Sequence, residues 1–279
     1  MTRAIQPIIG MADVEGGQLY YEVEGEGHPL VLIHAGIADS RMWDDQFGVF
    51  ARDYRVIRYD ARGFGKSKTE SVSFSNRQDL YDLLKHLGGE KTFVLGVSRG
   101  GQIAIDFALE HPERVSALIP VAAGLGGYEH KPGDDEKSKQ EMQMFTEMDE
   151  LWEKGNFAAL VDLEVRMFVD GPGQPQDRVD QGVRERVREM SANNFNRREG
   201  EAKPQPLVPP AVGRLTEIHV PTLVIVGDLD TSGTLVMADL MEQGITGARK
   251  VVIEGAAHMV NMERPQEFNR LVLDFLSEQ

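Results

Sequence analysis

Three residue types that together perform nucleophilic catalysis occur along this chain of 279 residues. Ser98 lies at the centre of residues 96–100, Gly-Val-Ser-Arg-Gly, while Asp230 and His258 follow far downstream. A serine hydroxyl is a weak nucleophile at neutral pH, so it needs a base within hydrogen-bonding reach and an acid that orients the base. The pattern predicts Ser98 as the nucleophile, His258 as the base and Asp230 as the orienting acid.

The residues around Ser98 predict a strand, a sharp turn and a helix. An apolar run from Thr92 to Leu95 precedes the serine, and the segment from Gln102 to Leu109 has helical apolar spacing. Only flanking residues without bulk, here Gly96 and Gly100, let a strand and a helix approach closely enough to hold a serine at such a corner. We therefore expect the hydroxyl to protrude at the top of a sheet, facing a crevice.

The acid and the base also follow apolar strands. Asp230 comes after the run 221–227, and His258 comes after the run from Lys250 to Glu254. The carboxyl ends of such strands deliver side chains to the crevice of an α/β sheet. Asp228 lies on the same loop as Asp230 and competes with it for the role of acid.

The periodicity of the rest of the chain predicts an α/β fold with a mostly parallel, twisted sheet of eight strands and helices on both faces. Short apolar runs are typical of parallel strands that helices cover on both sides, and here they alternate with helical spacing. The first two strands form a hairpin that turns at Gly16-Gly17. The predicted strands are 11–14, 18–24, 29–34, 55–59, 92–97, 115–122, 222–227 and 250–254, and the helices are 78–87, 100–110, 234–243 and 266–276.

Residues 124–210 interrupt this alternation. They contain three stretches of helical spacing, 135–154, 157–168 and 179–190, and no strand pattern. We expect a helical cap over residues 124–210, inserted into a core domain of residues 1–123 and 211–279. The cap would cover Ser98 and supply most of the substrate pocket, although apolar residues at helical spacing more often belong to a core than to a ligand site.

Five motifs give the chain a clear resemblance to the α/β-hydrolase superfamily, from about Gly17 to the C-terminus. Besides the serine motif these are residues 32–36 (Leu-Ile-His-Ala-Gly), 58–67 (Arg-Tyr-Asp-Ala-Arg-Gly-Phe-Gly-Lys-Ser), 111–115 (His-Pro-Glu-Arg-Val) and 255–268, which contains the histidine. The order of serine, acid and histidine is also that of the family. The resemblance implies the fold and the triad, and its Gly-x-x-Asp spacing favours Asp230 over Asp228.

The resemblance further implies an oxyanion hole formed by the backbone N–H groups of Gly36 and Arg99, with His34 in a structural role. Two positions depart from the family pattern. Ala35 stands where the family usually has glycine, and Arg99 where relatives more often have an apolar residue or glutamine. We expect the Arg99 side chain to form a salt bridge with a nearby acid, the alternative being contact with an anionic substrate. Asp60 and Arg62 are expected to brace loops near the crevice.

The function that the resemblance and the predicted triad imply is hydrolysis of carboxylic esters or lactones of small molecules. The reaction would pass through an acyl-enzyme on Ser98, with water as second substrate and no metal or cofactor. Ser98 excludes haloalkane dehalogenases and disfavours epoxide hydrolases, which need a carboxylate nucleophile. Two alternatives stay open. One is a carbon–carbon bond hydrolase acting on vinylogous diketones, and the other is a receptor-like protein that binds small molecules with little turnover.

Composition excludes several other classes. The formal net charge of −15 argues against nucleic acids and anionic membranes as partners, because both are polyanions. No apolar stretch reaches the roughly 20 residues that cross a bilayer, and the N-terminus does not resemble a signal peptide. The absence of cysteine excludes disulfides and thiol chemistry. We expect a cytoplasmic enzyme, and the sequence leaves its oligomeric state open.

Overall fold

A twisted sheet of nine strands organises the computed structural model, which describes residues 7–89, 91–131, 133–196 and 203–279. The strand order is β1-β2-β4-β3-β6-β7-β8-β9, and the short β5 pairs with β2. Pairs that involve β1, β2 or β5 are antiparallel, whereas β4, β3 and β6 to β9 run parallel. The strands are β1 Ile8–Val14, β2 Gly17–Glu24, β3 Pro29–Ile33, β4 Arg55–Tyr59, β5 Lys68–Thr69, β6 Thr92–Val97, β7 Val115–Val121, β8 Leu223–Gly227 and β9 Arg249–Ile253.

Two layers of helices cover the sheet, which confirms the predicted α/β class. Leu30 and Leu32 of β3 lie in the core on one face, whereas Val31 and Ile33 lie in the core on the other. Helices α2, α3 and α7 pack on the face of Val31, and α1, α8 and α9 pack on the face of Leu30. The helices are α1 Asp44–Phe50, α2 Asn76–His86, α3 Arg99–Glu110, α4 Glu136–Glu153, α5 Phe157–Val165, α6 Gln181–Asn196, α7 Ser232–Gly244, α8 Val260–Glu263 and α9 Pro265–Leu276.

Strand β1 begins at Ile8, three residues before the predicted start at Met11, and two further details of the sheet differ from the prediction. The first hairpin turns at Glu15 and Gly16 rather than at Gly16-Gly17, because Val14 pairs directly with Gly17. Gly16 has a φ of 69°, the left-handed conformation that glycine adopts without steric cost. Strand β5 is an addition to the eight predicted strands, and its two residues are too few to produce a periodic signal.

Helices α4, α5 and α6 occupy the three stretches for which the sequence predicted helices. Met144 and Met148 of α4 and Leu160 and Leu163 of α5 bury their side chains against one another. After α5 the chain continues as a π-helical turn over Arg166–Asp170. These helices connect β7 to β8, which are adjacent parallel strands of the sheet. None of the helices in the described part of the chain is both long and apolar enough to span a membrane.

Candidate active site

Ser98 lies at the turn between β6 and α3 with φ 57° and ψ −116°, a backbone conformation that residues other than glycine rarely adopt. Its N–H donates to the carbonyl of Val121 over 2.8 Å, and its carbonyl accepts from the N–H of Gln102 over 3.0 Å. A Cβ atom on Gly96 would overlap the carbonyl oxygen of Gly100, and a Cβ atom on Gly100 would overlap a carbonyl of β3. Both glycines are therefore required where the sequence analysis placed them.

The structure brings His258 and Asp230 together. The Nδ1 atom of His258 lies 2.8 Å from Oδ2 and 3.0 Å from Oδ1 of Asp230, and both side chains are buried. The N–H of Thr231 also donates to Oδ1 of Asp230, over 2.7 Å. Because a carboxylate accepts hydrogen bonds, Nδ1 of His258 must carry its proton here, which leaves Nε2 free to accept one.

Asp228, the competing acid, has a different partner. Its side chain is exposed, and its Oδ1 accepts a hydrogen bond from the N–H of Gly255 over 2.6 Å. This contact ties the loop after β8 to the loop before His258. The geometry thus pairs the histidine with Asp230 and leaves Asp228 as a brace between two loops.

Ser98 and His258 line the same cavity, which has a volume of about 230 Å³. Its apolar wall comes mainly from Met142 and Phe145 of α4, Phe168 and Met237, and its polar lining comprises His130, Ser138, Glu141, Thr231 and Thr234. The ring of Phe168 lies 5.0 Å from that of His258, between centroids. No cluster of three or more histidine, aspartate or glutamate side chains suited to a metal ion occurs among the residues that the structure describes.

The loop that precedes Gly36 is held by His34. The Nε2 atom of His34 accepts a hydrogen bond from the N–H of Ala61 over 2.9 Å, so the proton resides on Nδ1, which donates to the carbonyl of Ala35 over 2.8 Å. Burial lowers the pKa of His34 and keeps the ring neutral. This is the structural role predicted for His34.

Gly36 and Arg99 lie next to each other beside Ser98. A Cβ atom placed on Gly36 would be 3.7 Å from both Cβ and Cδ of Arg99, an ordinary van der Waals contact. The N–H of Ala35 is turned away, because it donates to the sulfur of Met42 at 3.2 Å. The alanine in place of the usual glycine therefore has its amide occupied, and the next amide in the chain is that of Gly36.

The Arg99 side chain does not form the expected salt bridge. Its guanidinium makes no ion pair with a carboxylate anywhere in the described ranges. Instead, it lies 4.5 Å from the centroid of the Phe64 ring, and one of its N–H groups reaches Oδ1 of Asn76 at 3.5 Å. Burial lowers the pKa of Arg99 from its ordinary value. The sequence could not reveal this, because no local pattern shows which side chains surround a residue in the fold.

Asp60 and Arg62 brace the loops near the crevice, as predicted. Asp60 accepts hydrogen bonds from the N–H of Ser40 over 2.8 Å and of Lys66 over 2.7 Å, so that one carboxylate joins two loops. Arg62 forms a buried bidentate pair with Asp79 of α2, at 2.6 and 2.9 Å. Neither side chain belongs to the lining of the cavity.

Helix α4 is attached to the site by two residues that the sequence analysis did not identify. Glu141 is buried, lines the cavity and accepts hydrogen bonds from the N–H (3.1 Å) and the hydroxyl of Ser232. Lys137, one turn earlier, donates to the carbonyl of Asp230 over 3.0 Å. The only signal in the sequence is the spacing of four between Lys137 and Glu141, which is common on exposed helices and so does not indicate a contact.

Comparison with known proteins identifies the family of this chain. The α/β-hydrolase fold family matches residues 28–265, and the chain belongs to this family. A 2-hydroxy-6-oxo-6-phenylhexa-2,4-dienoate hydrolase of Comamonas testosteroni is 28% identical to it over 280 residues, covering 97% of this chain and 95% of the relative. The 3-oxoadipate enol-lactonase 1 of Acinetobacter baylyi is 26% identical and is covered to 94%, as is this chain.

Among solved structures, a hydrolase from Pseudomonas aeruginosa PA01 superposes with a TM-score of 0.75 at 26% identity, covering 96% of this chain and 98% of the other. The relatives thus include a dienoate hydrolase and an enol-lactonase, whose names give different substrates. Membership of the hydrolase family is therefore clear, whereas the bond cleaved has to be argued from the site.

Proposed function

We propose that this chain is a serine hydrolase that cleaves carboxylic esters or lactones of small molecules through an acyl-enzyme on Ser98. The observation that carries the proposal is that Ser98 and His258 line one cavity while Nδ1 of His258 is hydrogen-bonded to buried Asp230. This arrangement leaves Nε2 of His258 as the atom that can take a proton from the serine hydroxyl.

The first half of the reaction forms the acyl-enzyme. The Ser98 hydroxyl oxygen attacks the carbonyl carbon of the substrate while its proton passes to Nε2 of His258, and Asp230 stabilises the imidazolium that results. The oxyanion accepts hydrogen bonds from the N–H groups of Gly36 and Arg99, each contributing on the order of 10²–10³ in turnover. His258 then returns the proton to the alcohol oxygen as the carbon–oxygen bond breaks.

The second half releases the acid. A water molecule gives a proton to Nε2 of His258 and attacks the acyl carbon, which forms a second tetrahedral intermediate in the same oxyanion hole. Collapse of this intermediate breaks the bond to Ser98, and His258 reprotonates the serine oxygen. These steps need no metal or organic cofactor.

We also propose that residues 124–210 form a cap over a core of residues 1–123 and 211–279. Met142 and Phe145 from α4, together with Phe168, supply cavity walls, while Ser98 and His258 come from the loops at the carboxyl ends of the strands. In this arrangement the loops that follow the strands supply the catalytic residues, and the inserted helices form the walls of the pocket. A cytoplasmic location and the lack of nucleic acid or membrane partners stay predictions.

A carbon–carbon bond hydrolase is the second candidate, because a dienoate hydrolase is among the relatives. The same serine, histidine and aspartate would serve that reaction. Activity on a vinylogous diketone, with none on simple esters, would select this candidate. A receptor-like protein is the third, and it would bind a ligand equally well with and without the Ser98 hydroxyl while turning over negligibly.

The test is hydrolysis of p-nitrophenyl esters from acetate to octanoate by the wild type and by Ser98→Ala. We expect the wild type to hydrolyse short esters and Ser98→Ala to lose at least about 10³ of kcat/KM. Circular dichroism and thermal melting of both proteins check that the variant is folded. Equal activity in the two proteins would refute Ser98 as the nucleophile, and no activity in either would refute the ester proposal.

A further inference from the structure

Arg99 is half-buried and has no carboxylate partner within the described ranges. Five other arginines, whose side chains are at most 13% exposed, each form an ion pair at 2.6–2.7 Å, namely Arg58 with Glu22, Arg62 with Asp79, Arg77 with Glu110, Arg178 with Glu263 and Arg184 with Asp170. A cation removed from water is costly unless it is paired, so buried charges in proteins are normally compensated. These five arginines follow this rule, and Arg99 beside Ser98 does not.

The position of Arg99 suits it to meet a substrate. It directly follows the candidate nucleophile, and its side chain runs along Gly36. It also begins α3, a helix of 12 residues whose N-terminal partial positive charge adds to its own. An anionic group bound here would therefore lie on the Gly36 side of Ser98.

The contacts of the guanidinium leave most of its donors free. Its planar face packs on the Phe64 ring, and among the residues that the structure describes only one of its five N–H groups has a polar contact, the 3.5 Å approach to Asn76. A guanidinium stacked on a ring still presents the N–H groups along its edge. That edge matches a carboxylate, which accepts two parallel hydrogen bonds from an arginine.

The cavity that Ser98 lines does not include Arg99 or Gly36, and it has the opposite character. It is lined by the buried carboxylate of Glu141 and by apolar side chains such as Met142 and Phe145, and no lysine or arginine is among its lining residues. A carboxylate would be repelled there and an apolar group accepted. The surroundings of Arg99 and the cavity thus differ in charge, which would orient a substrate that has one acidic and one apolar end.

We propose that Arg99 is a carboxylate-binding subsite and that the substrates are esters or lactones that carry a free carboxylate. This inference rests on the proposed function of Ser98. The carboxylate pairs with the Arg99 guanidinium, the scissile carbonyl lies at Ser98, and the apolar part enters the cavity beside Phe168. Arg99 is a specificity residue through its side chain, independently of the backbone N–H assigned to the oxyanion hole.

Two matched substrate pairs test this proposal. In the first, p-nitrophenyl butanoate is compared with mono-p-nitrophenyl glutarate, which places the carboxylate on the acyl side. In the second, phenyl acetate is compared with 4-acetoxybenzoate, which places it on the leaving group. The measured quantity is the ratio of kcat/KM, charged over neutral, because any loss common to both esters cancels.

We expect the ratio to exceed one for at least one pair in the wild type and to fall roughly 10- to 100-fold in Arg99→Gln, the range of a hydrogen-bonded charge. Arg99→Lys should restore part of the ratio, since it keeps the charge and loses the bidentate geometry. Arg188→Gln is the matched control, because the Arg188 side chain is 38% exposed and paired with Asp162 at 2.8 Å. It removes the same charge from the surface and should leave the ratio unchanged.

A ratio that is equal in the wild type and in Arg99→Gln for both pairs overturns the proposal. Calorimetry with glutarate gives a second readout that does not need turnover: binding that is lost in Arg99→Gln supports the subsite, and no binding or equal affinity in both proteins overturns it. Failure of the proposed function has a different signature. In that case the esters are not hydrolysed, or Ser98→Ala hydrolyses them too, while glutarate binding still reports on Arg99.

Discussion

Substitution of Asp230 by asparagine tests the geometry of the candidate triad most directly. In the structure Asp230 accepts two hydrogen bonds, one from Nδ1 of His258 and one from the N–H of Thr231. Asparagine has a single acceptor oxygen and an NH₂ group that only donates. If the oxygen stays with Thr231, the NH₂ group faces Nδ1 of His258, and this atom must then accept.

The imidazole proton is consequently forced onto Nε2, the atom that should take the proton of Ser98. The histidine keeps its position and loses its function as a base, and the imidazolium also loses its counter-charge. The corresponding change in a serine protease triad lowers kcat about 10⁴-fold. At 1.36 kcal/mol for each factor of ten this is about 5.5 kcal/mol of transition-state stabilisation. We expect a loss of roughly 10³–10⁴ in kcat/KM for Asp230→Asn.

Asp228→Asn is the matched control, since Asp228 lies two residues away on the same loop. Within the described residues its exposed carboxylate accepts one hydrogen bond, from the N–H of Gly255, and the asparagine oxygen can still accept it. We expect a change of less than about threefold in kcat/KM. The assay is steady-state hydrolysis of p-nitrophenyl butanoate by both variants, with thermal melting to verify folding. Full activity in Asp230→Asn, or an equal loss in both variants, would refute the assignment.

Three further predictions concern stability and the attachment of α4. Burial raises the pKa of Asp106 to about 6, so ionisation of this carboxyl opposes folding, and the free energy of unfolding falls as pH rises from about 4 to 6. Asp106→Asn should therefore raise the free energy of unfolding, measured in urea, by about 2–3 kcal/mol at pH 8 and hardly at all near pH 4. Gly100→Ala should destabilise the protein by more than about 3 kcal/mol in thermal melting or abolish soluble expression, because its Cβ would overlap a backbone carbonyl. Gly48→Ala, which has open space around it in α1, should be neutral or stabilising in the same measurement. Glu141→Ala should raise the rate of amide hydrogen exchange in the first turns of α4 roughly 10-fold or more, because it removes the hydrogen bond to Ser232. Glu147→Ala, at an exposed position of the same helix, should leave the rate unchanged. Equal exchange rates in both variants would contradict the attachment of α4 through Glu141.

Most of the fold was predictable because its signals are local. Parallel strands buried on both faces produce apolar runs, and β3, β6 and β8 are buried along their whole length. The elements that were missed are the short ones, β5 with two residues, α8 with four and α1 with seven. A helix or strand of this length has too few positions for a period to emerge.

Helix α4 shows the limit of periodic reasoning. Four apolar residues recur at helical spacing in α4, namely Met142, Phe145, Met148 and Trp152. Spacing alone does not distinguish their roles. In the structure Met148 is buried against α5, whereas Met142 and Phe145 line the cavity beside Ser98. Spacing determines which residues share a stripe on a helix, but the elements packed around that stripe decide which become core and which meet a ligand.

The sequence by itself determined the parts of the site that depend on chain order. The glycines around Ser98 specify a tight turn between strand and helix, and the placement of Asp230 and His258 after strands specifies the edge of the sheet at which they lie. Only the tertiary structure decided the contacts between segments that are distant in the chain. It paired His258 with Asp230 rather than Asp228, and it surrounded Arg99 with Phe64 and Asn76 instead of an acid. The physical reason is that backbone conformation follows from neighbours in sequence, whereas the partner of a charged side chain is set by long-range packing.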